Sequence, residues 1–255
     1  MFKEFHHQVR GRGHVQEGVA CQDRVSFGSF NGVQVMCLAD GAGSASHSEY
    51  GAQALVDAGV KLLTESFDGF SARDDGARVK IEIIESLVER LAVVASRRGC
   101  GLRDLASTFL GVAVARGRFI VVHVGDGVIG YAKNGELKVI SGPDNDEFAN
   151  QTTFVTSSGA VGSMRLFRGS LDGVSGFILM SDGSANSLFD HRAKSLAPAC
   201  LKIIDMVSGA PRRRLKYPLY ERQLRGILET RIRDATGDDC SIGVLGRPLS
   251  TVATA

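Results

Sequence analysis

The chain has no tryptophan, and aromatic residues fill only 7% of its 255 positions. No apolar run approaches the roughly 18–20 residues that a membrane span needs. The start, MFKEFHHQVRGRGH, has no apolar stretch that could act as a signal peptide. The five cysteines (Cys21, Cys37, Cys100, Cys200, Cys240) are scattered and form no C-x-x-C pair, so zinc ribbons and thioredoxin chemistry lose support. The histidines, at 6, 7, 14, 47, 123 and 191, have no zinc-type spacing either. Charge of one sign is also missing: 30 Lys and Arg stand against 28 Asp and Glu, which argues for neither nucleic acid nor a membrane as partner. Reduced thiols in a cytoplasm are the simplest reading.

Apolar material is plentiful. Hydrophobic residues make up 44%, enough for a sizeable core. No internal repeat, low-complexity linker or interdomain linker is visible, so residues 1–255 read as one domain. Three pairs of β-prone runs flank short turn signals: RVSFGSF and VQVMCLA around Asn31-Gly32, TFLGVAVA and RFIVVHVG around Arg116-Gly117, and VIGYAK and ELKVIS around Asn134-Gly135. Residues 152–157, 176–180 and 240–245 are further expected strands, rich in Val, Ile, Phe and Thr.

Helical periodicity predicts helices over 48–67 and 77–97, a third over 190–207 that Pro198 breaks or kinks, and a fourth over 219–233. Residues 68–76 and 208–218 read as loops. Consecutive hairpins imply antiparallel sheets, and helices grouped apart from them imply that they cover sheet faces. The expected class is α+β, two antiparallel sheets packed as a sandwich with helices outside.

Four strand termini carry an aspartate beside or near a glycine: Asp40-Gly41 after residues 33–39, Asp126-Gly127 after 118–124, Asp182-Gly183 after 176–180, and Asp238-Asp239 just before the last strand. One Asp-Gly at a strand end is usually a turn. Four of them suggest carboxylates gathered at a sheet edge, where mutual repulsion calls for a cation. An oxygen-only donor set points to Mg²⁺ or Mn²⁺ rather than zinc. Two such ions sharing a bridging water are a known device for hydrolysing phosphate esters.

These segments resemble, in order, the motifs of the metal-dependent serine/threonine protein phosphatases of type two-C: CQDRV (21–25), LADGAGS (38–44), ASTFLGVAV (106–114), VHVGDG (122–127), LMSDG (179–183) and DDCSIGVL (238–245). The likeness covers about residues 14–245 and is nearest to the compact bacterial branch, with its CQD and NQTTFVTS-like segments. It implies a β-sandwich flanked by helices, with two metal ions at one edge. Asp40 would bridge the ions, and Gly41 would offer its carbonyl to one. Asp182 and Asp239 would complete the second ion's shell, with Asp238 as the adjacent support or, if the register slips by one, the ligand itself. Asp126 would serve a third, weaker ion shared with Asp182. Asp23 would order water nearby.

Five positions depart from the pattern. Ser44 replaces a glycine, Gly127-Val128 replaces Ser-Arg after Asp126, and Gln22 stands where animal members have glutamate. Gly18 stands where the phosphate-binding arginine would be. Arg10, Arg12 and His14 are candidates for that task, His14 being preferred and also the candidate proton donor to the leaving oxygen.

Other features read more plainly. Gly41–Ser46 lacks the third glycine of a dinucleotide loop, and Ser44 and Ser46 are expected to cap the helix that follows. His123 reads as a satisfied sheet histidine, His47 as a surface loop residue, and Cys21 as a small filler rather than a redox thiol. The basic stretch 211–233 reads as a solvated face. The acidic segment 141–152 is either a lid or an ordinary loop.

The expected function is metal-dependent hydrolysis of phosphoserine and phosphothreonine in proteins, by a hydroxide bridging two Mn²⁺ or Mg²⁺ ions. The expected partners are phosphorylated proteins and a cognate kinase. The rivals are a pseudophosphatase that serves as a signalling adaptor, and a phosphoesterase for small molecules.

Overall fold

A computed structural model describes residues 1–143, 152–210 and 219–248. In chain order the strands are β1 (Lys3–Val9), β2 (Arg24–Phe30), β3 (Val33–Ala39), β4 (Phe109–Ala115), β5 (Arg118–Val124), β6 (Val128–Lys133), β7 (Glu136–Ser141), β8 (Arg165–Ser170), β9 (Val174–Met180), β10 (Phe189–Asp190), β11 (Ser195–Leu196) and β12 (Cys240–Gly246). The helices are α1 (Arg12–Glu17), α2 (Ser48–Glu65), α3 (Phe67–Ala72), α4 (Gly76–Arg98), α5 (Ala160–Ser163), α6 (Asp182–Leu188), α7 (Ala199–Gly209) and α8 (Leu219–Ile227).

Two five-stranded sheets face each other, in the orders β2-β3-β4-β5-β8 and β1-β12-β9-β6-β7, and every pairing is antiparallel. All three expected hairpins are present. Both central residues of each turn have positive φ: Asn31 and Gly32 at 49° and 76°, Arg116 and Gly117 at 49° and 72°, Asn134 and Gly135 at 54° and 80°. That is the I′ geometry whose twist matches the flanking strands.

The side chains of β3 show how the layers are held. Val33, Val35, Cys37 and Ala39 pack toward α2 and α4, while Met36 and Leu38 pack between the sheets with Leu110, Val112 and Phe177. A strand buried on both faces reads as one continuous apolar run, as this one does. On the far side, Ile178, Met180, Ile242 and Val244 pack against Cys200, Ile204 and Val207 of α7 and Leu224 of α8. The result is helices, sheet, sheet, helices, the expected α+β sandwich.

Several expectations fail locally. Residues 152–157 form no strand; Val155 donates its N–H to the Ser107 carbonyl and buries its side chain below α2 and α4. β1 and β8 were not expected. Both are edge strands with polar sequences, KEFHHQV and RLFRGS. Part of the expected loop 68–76 is α3. Of the helix expected over 190–207, only α7 forms, and Pro198 stands at its start, where a missing N–H is harmless. The helix over 219–233 gives way after Ile227 to wider and then tighter turns. The acidic segment falls largely outside the described residues, as do 211–218 of the basic stretch.

Candidate active site

Asp40 ends β3, Asp126 follows β5, Asp182 follows β9 and Asp238 precedes β12. These four carboxylates line one cleft of about 210 Å³ with His14, Gln22, Gly41, Thr108 and Thr152. The strands deliver them because each runs out of apolar sequence at the same end of the sandwich. β4 fixes the position of Asp40: its N–H donates to Thr108 Oγ1 (2.9 Å), and its carbonyl accepts from the Thr108 N–H (2.8 Å). Gly41 pairs with Ser107 and lies so close to Ser48 at the start of α2 that a Cβ would sit 2.8 Å from the serine Cβ. Asp126 Oδ2 accepts from Thr152 Oγ1 at 2.5 Å.

Electrostatics set these carboxylates apart. Burial raises Asp40 well above the usual carboxylate range, and Asp23, Asp182 and Asp238 raise it further. Burial, then Asp238 and Asp126, pushes Asp182 up to about 6, against partial relief from its hydrogen bonds to Asp40 and the Gly183 N–H. Fully buried Asp23 is pushed up to about 7 by burial and then by Asp239, with Ser181 and Ser241 pulling the other way. Each shift is the signature of negative charge crowded into a poorly solvated space.

Asp238 and Asp239 divide between two tasks. Asp239 is 2% exposed and does not line the cleft. Its Oδ1 accepts from the Gly11 N–H and its Oδ2 from the Gln22 N–H, both at 2.6 Å, and His14 Nδ1 lies 3.0 Å from Oδ1. It ties the N-terminal segment to the site, and both of its oxygens are spent on that. Asp238 faces the cleft and adds its charge to Asp40 and Asp182. The geometry therefore favours Asp238, the register-slipped alternative, as the cation ligand. Asp23 lies behind the cleft rather than in it. Of the three candidates for phosphate binding, His14 lines the cleft. Arg10 donates to the His14 carbonyl at 2.6 Å, and Arg12 is exposed.

The donor set is all oxygen and suits a hard divalent cation. Among the described residues, no three His, Cys, Asp or Glu side chains close on a single point as they stand. Beyond the effect of burial, Asp40 and Asp182 instead share one crowded negative field, Asp40 being raised by Asp23 and Asp182, and Asp182 by Asp238 and Asp126. The donor chemistry thus fits Mg²⁺ or Mn²⁺, and a cation would relieve that crowding.

Residues without an assigned role in the sequence complete the site: Thr108, Thr152 and Arg165. Arg165, on β8, donates from Nη2 to the Gly125 carbonyl (2.7 Å) and to His123 Nε2 (3.2 Å), and from Nη1 to the Gly142 carbonyl. His123 Nδ1 lies 2.7 Å from Ser141 Oγ, so both ring nitrogens have a polar partner. Burial and Arg165 also hold the imidazole well below its ordinary pKa. His123 is a satisfied sheet histidine, as expected. The Gly125-Asp126 turn, which lacks the motif arginine after it, takes one from another strand. Ser44 and Ser46 do not cap α2: its N-cap is His47 with no side-chain cap, and Ser46 Oγ bonds Asp104 at 3.1 Å. Burial pushes the Cys21 thiol up to about 12, consistent with a filler role.

A helix-flanked double sheet with a carboxylate-lined cleft at the strand ends defines a class of fold and site before any relative is consulted. The sequence profile of the protein phosphatase 2C family matches residues 10–229, and the chain belongs to that family. It is 26% identical over 162 residues to serine/threonine-protein phosphatase 3 of Escherichia coli, a match that spans 62% of this chain and 64% of that relative. Solved structures share the fold at lower identity. A bacterial serine phosphatase superimposes with a TM-score of 0.66 at 14% identity, covering 99% of this chain and 100% of its own. The S. agalactiae serine/threonine phosphatase gives 0.66 at 16% identity, covering 97% of this chain and 100% of its own.

Proposed function

We propose that this chain is a single catalytic domain that hydrolyses phosphoserine and phosphothreonine in proteins with the help of bound Mn²⁺ or Mg²⁺. One observation carries the reading: Asp40, Asp126, Asp182 and Asp238, drawn from four separate strand ends, line one cleft. Asp40, Asp182 and Asp238 would hold two ions with the Gly41 carbonyl, and Asp126 a weaker third. When bound, the cations would supply an activated water and neutralise charge on the phosphoryl group.

The chain's own residues do the rest. Thr108 fixes Asp40 through its backbone. Gln22, buried and lining the cleft, can hold a water by its amide. His14, braced by Asp239, is placed to meet the substrate phosphate or to give a proton to the departing alkoxide. The natural substrates are proteins marked by a serine/threonine kinase, and the compartment is the cytoplasm. No described helix is long and apolar enough to cross a membrane.

The test is phosphate release from a phosphothreonine peptide with Mn²⁺ or with chelator, for wild type and Asp182→Ala. Metal-dependent turnover that the substitution abolishes is the expected result. A folded, Mn²⁺-loaded wild type inert on phosphopeptides and small esters would favour an adaptor. Turnover of small esters alone would favour a small-molecule phosphoesterase.

A further inference from the structure

A second concavity, of about 510 Å³, lies between α2 and α4 and is lined by Tyr50, Asp57, Arg90, Val94, Arg97 and Arg98 among others. All three arginines are exposed. Arg90 and Arg97 make no ion pair or hydrogen bond with any described residue, and the Arg98 guanidinium carbon lies over the Tyr50 ring, 2.9 Å from its centroid. Stacking holds a guanidinium in place while leaving its edge N–H groups available. The single acid in the groove, Asp57, accepts from Gln53 at 3.1 Å.

The other flank of α4 has the opposite character. Glu82, Glu85 and Glu89 line a separate depression there with Leu62 and Phe70. On that flank Glu82 pairs with Arg78 at i,i+4 and with Arg73, whereas Arg90 and Arg97 on the other flank have no such partner among the described residues. Arg97 and Arg98 sit in its last turn, where the helix dipole favours cations, but that does not account for Arg90 two turns earlier.

The position also matters. The Tyr50 end of the groove is two residues from Ser48, which packs on Gly41 in the catalytic cleft, and the Tyr50 ring lies 6.2 Å from that of His47. From there α2 runs about 10 Å to Asp57, at about 1.5 Å per residue. An extended peptide leaving the cleft over His47 would reach the groove within a few residues.

We propose that this groove docks an acidic stretch of the phosphoprotein substrate, flanking the residue being dephosphorylated. The arginine forks match carboxylates, and the groove supplies the positive field that the carboxylate-lined cleft lacks. This rests on the phosphatase reading, and the experiment separates the two.

The variant is Arg90→Gln/Arg97→Gln, two exposed positions outside the cleft. With Mn²⁺, kcat/KM is measured on phosphothreonine peptides carrying an acidic run on either side, on the same peptides with a neutral run, and on p-nitrophenyl phosphate. Binding of a fluorescent acidic peptide without phosphate is measured separately by anisotropy. Wild type should prefer one acidic peptide by about tenfold, through KM, and lose the preference as salt is raised. The variant should lose that preference and bind the unphosphorylated peptide correspondingly less, with p-nitrophenyl phosphate turned over as before. Equal peptide binding by wild type and variant, or equal losses on all substrates, would overturn the docking proposal. Docking without turnover of any ester would retain the groove and overturn the phosphatase reading instead.

Discussion

Adjacent aspartates with different duties can be told apart by one pair of substitutions, Asp238→Asn and Asp239→Asn. Asp239 accepts two short backbone hydrogen bonds, from Gly11 and Gln22, with its two oxygens. An asparagine keeps one acceptor and turns an NH₂ toward the other donor. The loss is one charge-assisted bond, about 1.5–3 kcal/mol. It is offset in part because Asp239 is the largest charge raising Asp23. A net destabilisation of about 1–2 kcal/mol is expected, a fall in melting temperature of roughly 2–8 °C for a domain of this size. Mn²⁺ affinity should fall by about 10–100-fold at most, the range typical of groups that support a metal site without ligating it. Asp238→Asn should do the reverse. It removes a charge that raises both Asp40 and Asp182, so the metal-free protein should melt no lower than wild type, while Mn²⁺ binding and turnover are largely lost. Thermal unfolding in chelator and calorimetric Mn²⁺ titration give the two readouts. Unimpaired metal binding in Asp238→Asn beside lost binding in a stably folded Asp239→Asn would sink the assignment.

Further expectations follow from the same geometry. Asp23 and Asp182 have folded values of about 7 and about 6 against 3.8 in the unfolded chain, so the folded state holds protons that the unfolded chain has released. Their contribution to stability is full below about pH 4 and is lost as pH rises through about 6 to 7. Metal-free protein should therefore melt higher at about pH 5.5 than at about pH 7.5, and saturating Mn²⁺ should shrink or reverse the difference; a melting point in chelator that only falls with acid counts against it. Arg165→Met leaves the Gly125 and Gly142 carbonyls short of a donor and should cost about 2–3 kcal/mol. It should also raise the Mn²⁺ concentration needed for half-maximal phosphate release, whereas unchanged melting and metal response would show the turn needs no brace. In Gly183→Ala the new Cβ would meet the Asp239 carbonyl at 2.1 Å, so chelator-melting and turnover should both fall sharply; wild-type values for both would show that the contact is readily relieved.

The central strands were legible because each is buried on both faces and advertises itself as an apolar run; β3, β4 and β9 are buried throughout. The edge strands β1 and β8 were not, because an edge exposes one side and tolerates the polar residues of KEFHHQV and RLFRGS. The segment 152–157 misled for the opposite reason: it has β-prone composition but meets no neighbouring strand, and it contributes Thr152 to the cleft instead. At the site, the four strand-end aspartates stood out by repetition. The division of labour between Asp238 and Asp239 did not, since two identical residues in a row differ only in which way the chain turns them. Arg165 carried no local signal at all; its partners are 40 and 23 positions away along the chain.

The strand that follows Asp238 is β12, and it does not lie at a margin. It sits between β1 and β9, pairing on one side with the first strand of the chain. Without β12, β1 therefore has no neighbour in its sheet, and without the residues just before it the cleft lacks Asp238 and the tether of Asp239 to Gly11 and Gln22. A chain cut before Asp238 would keep Asp40, Asp126 and Asp182 and lose the fourth carboxylate of the cleft. One segment thus closes a sheet and completes the cleft at the same time.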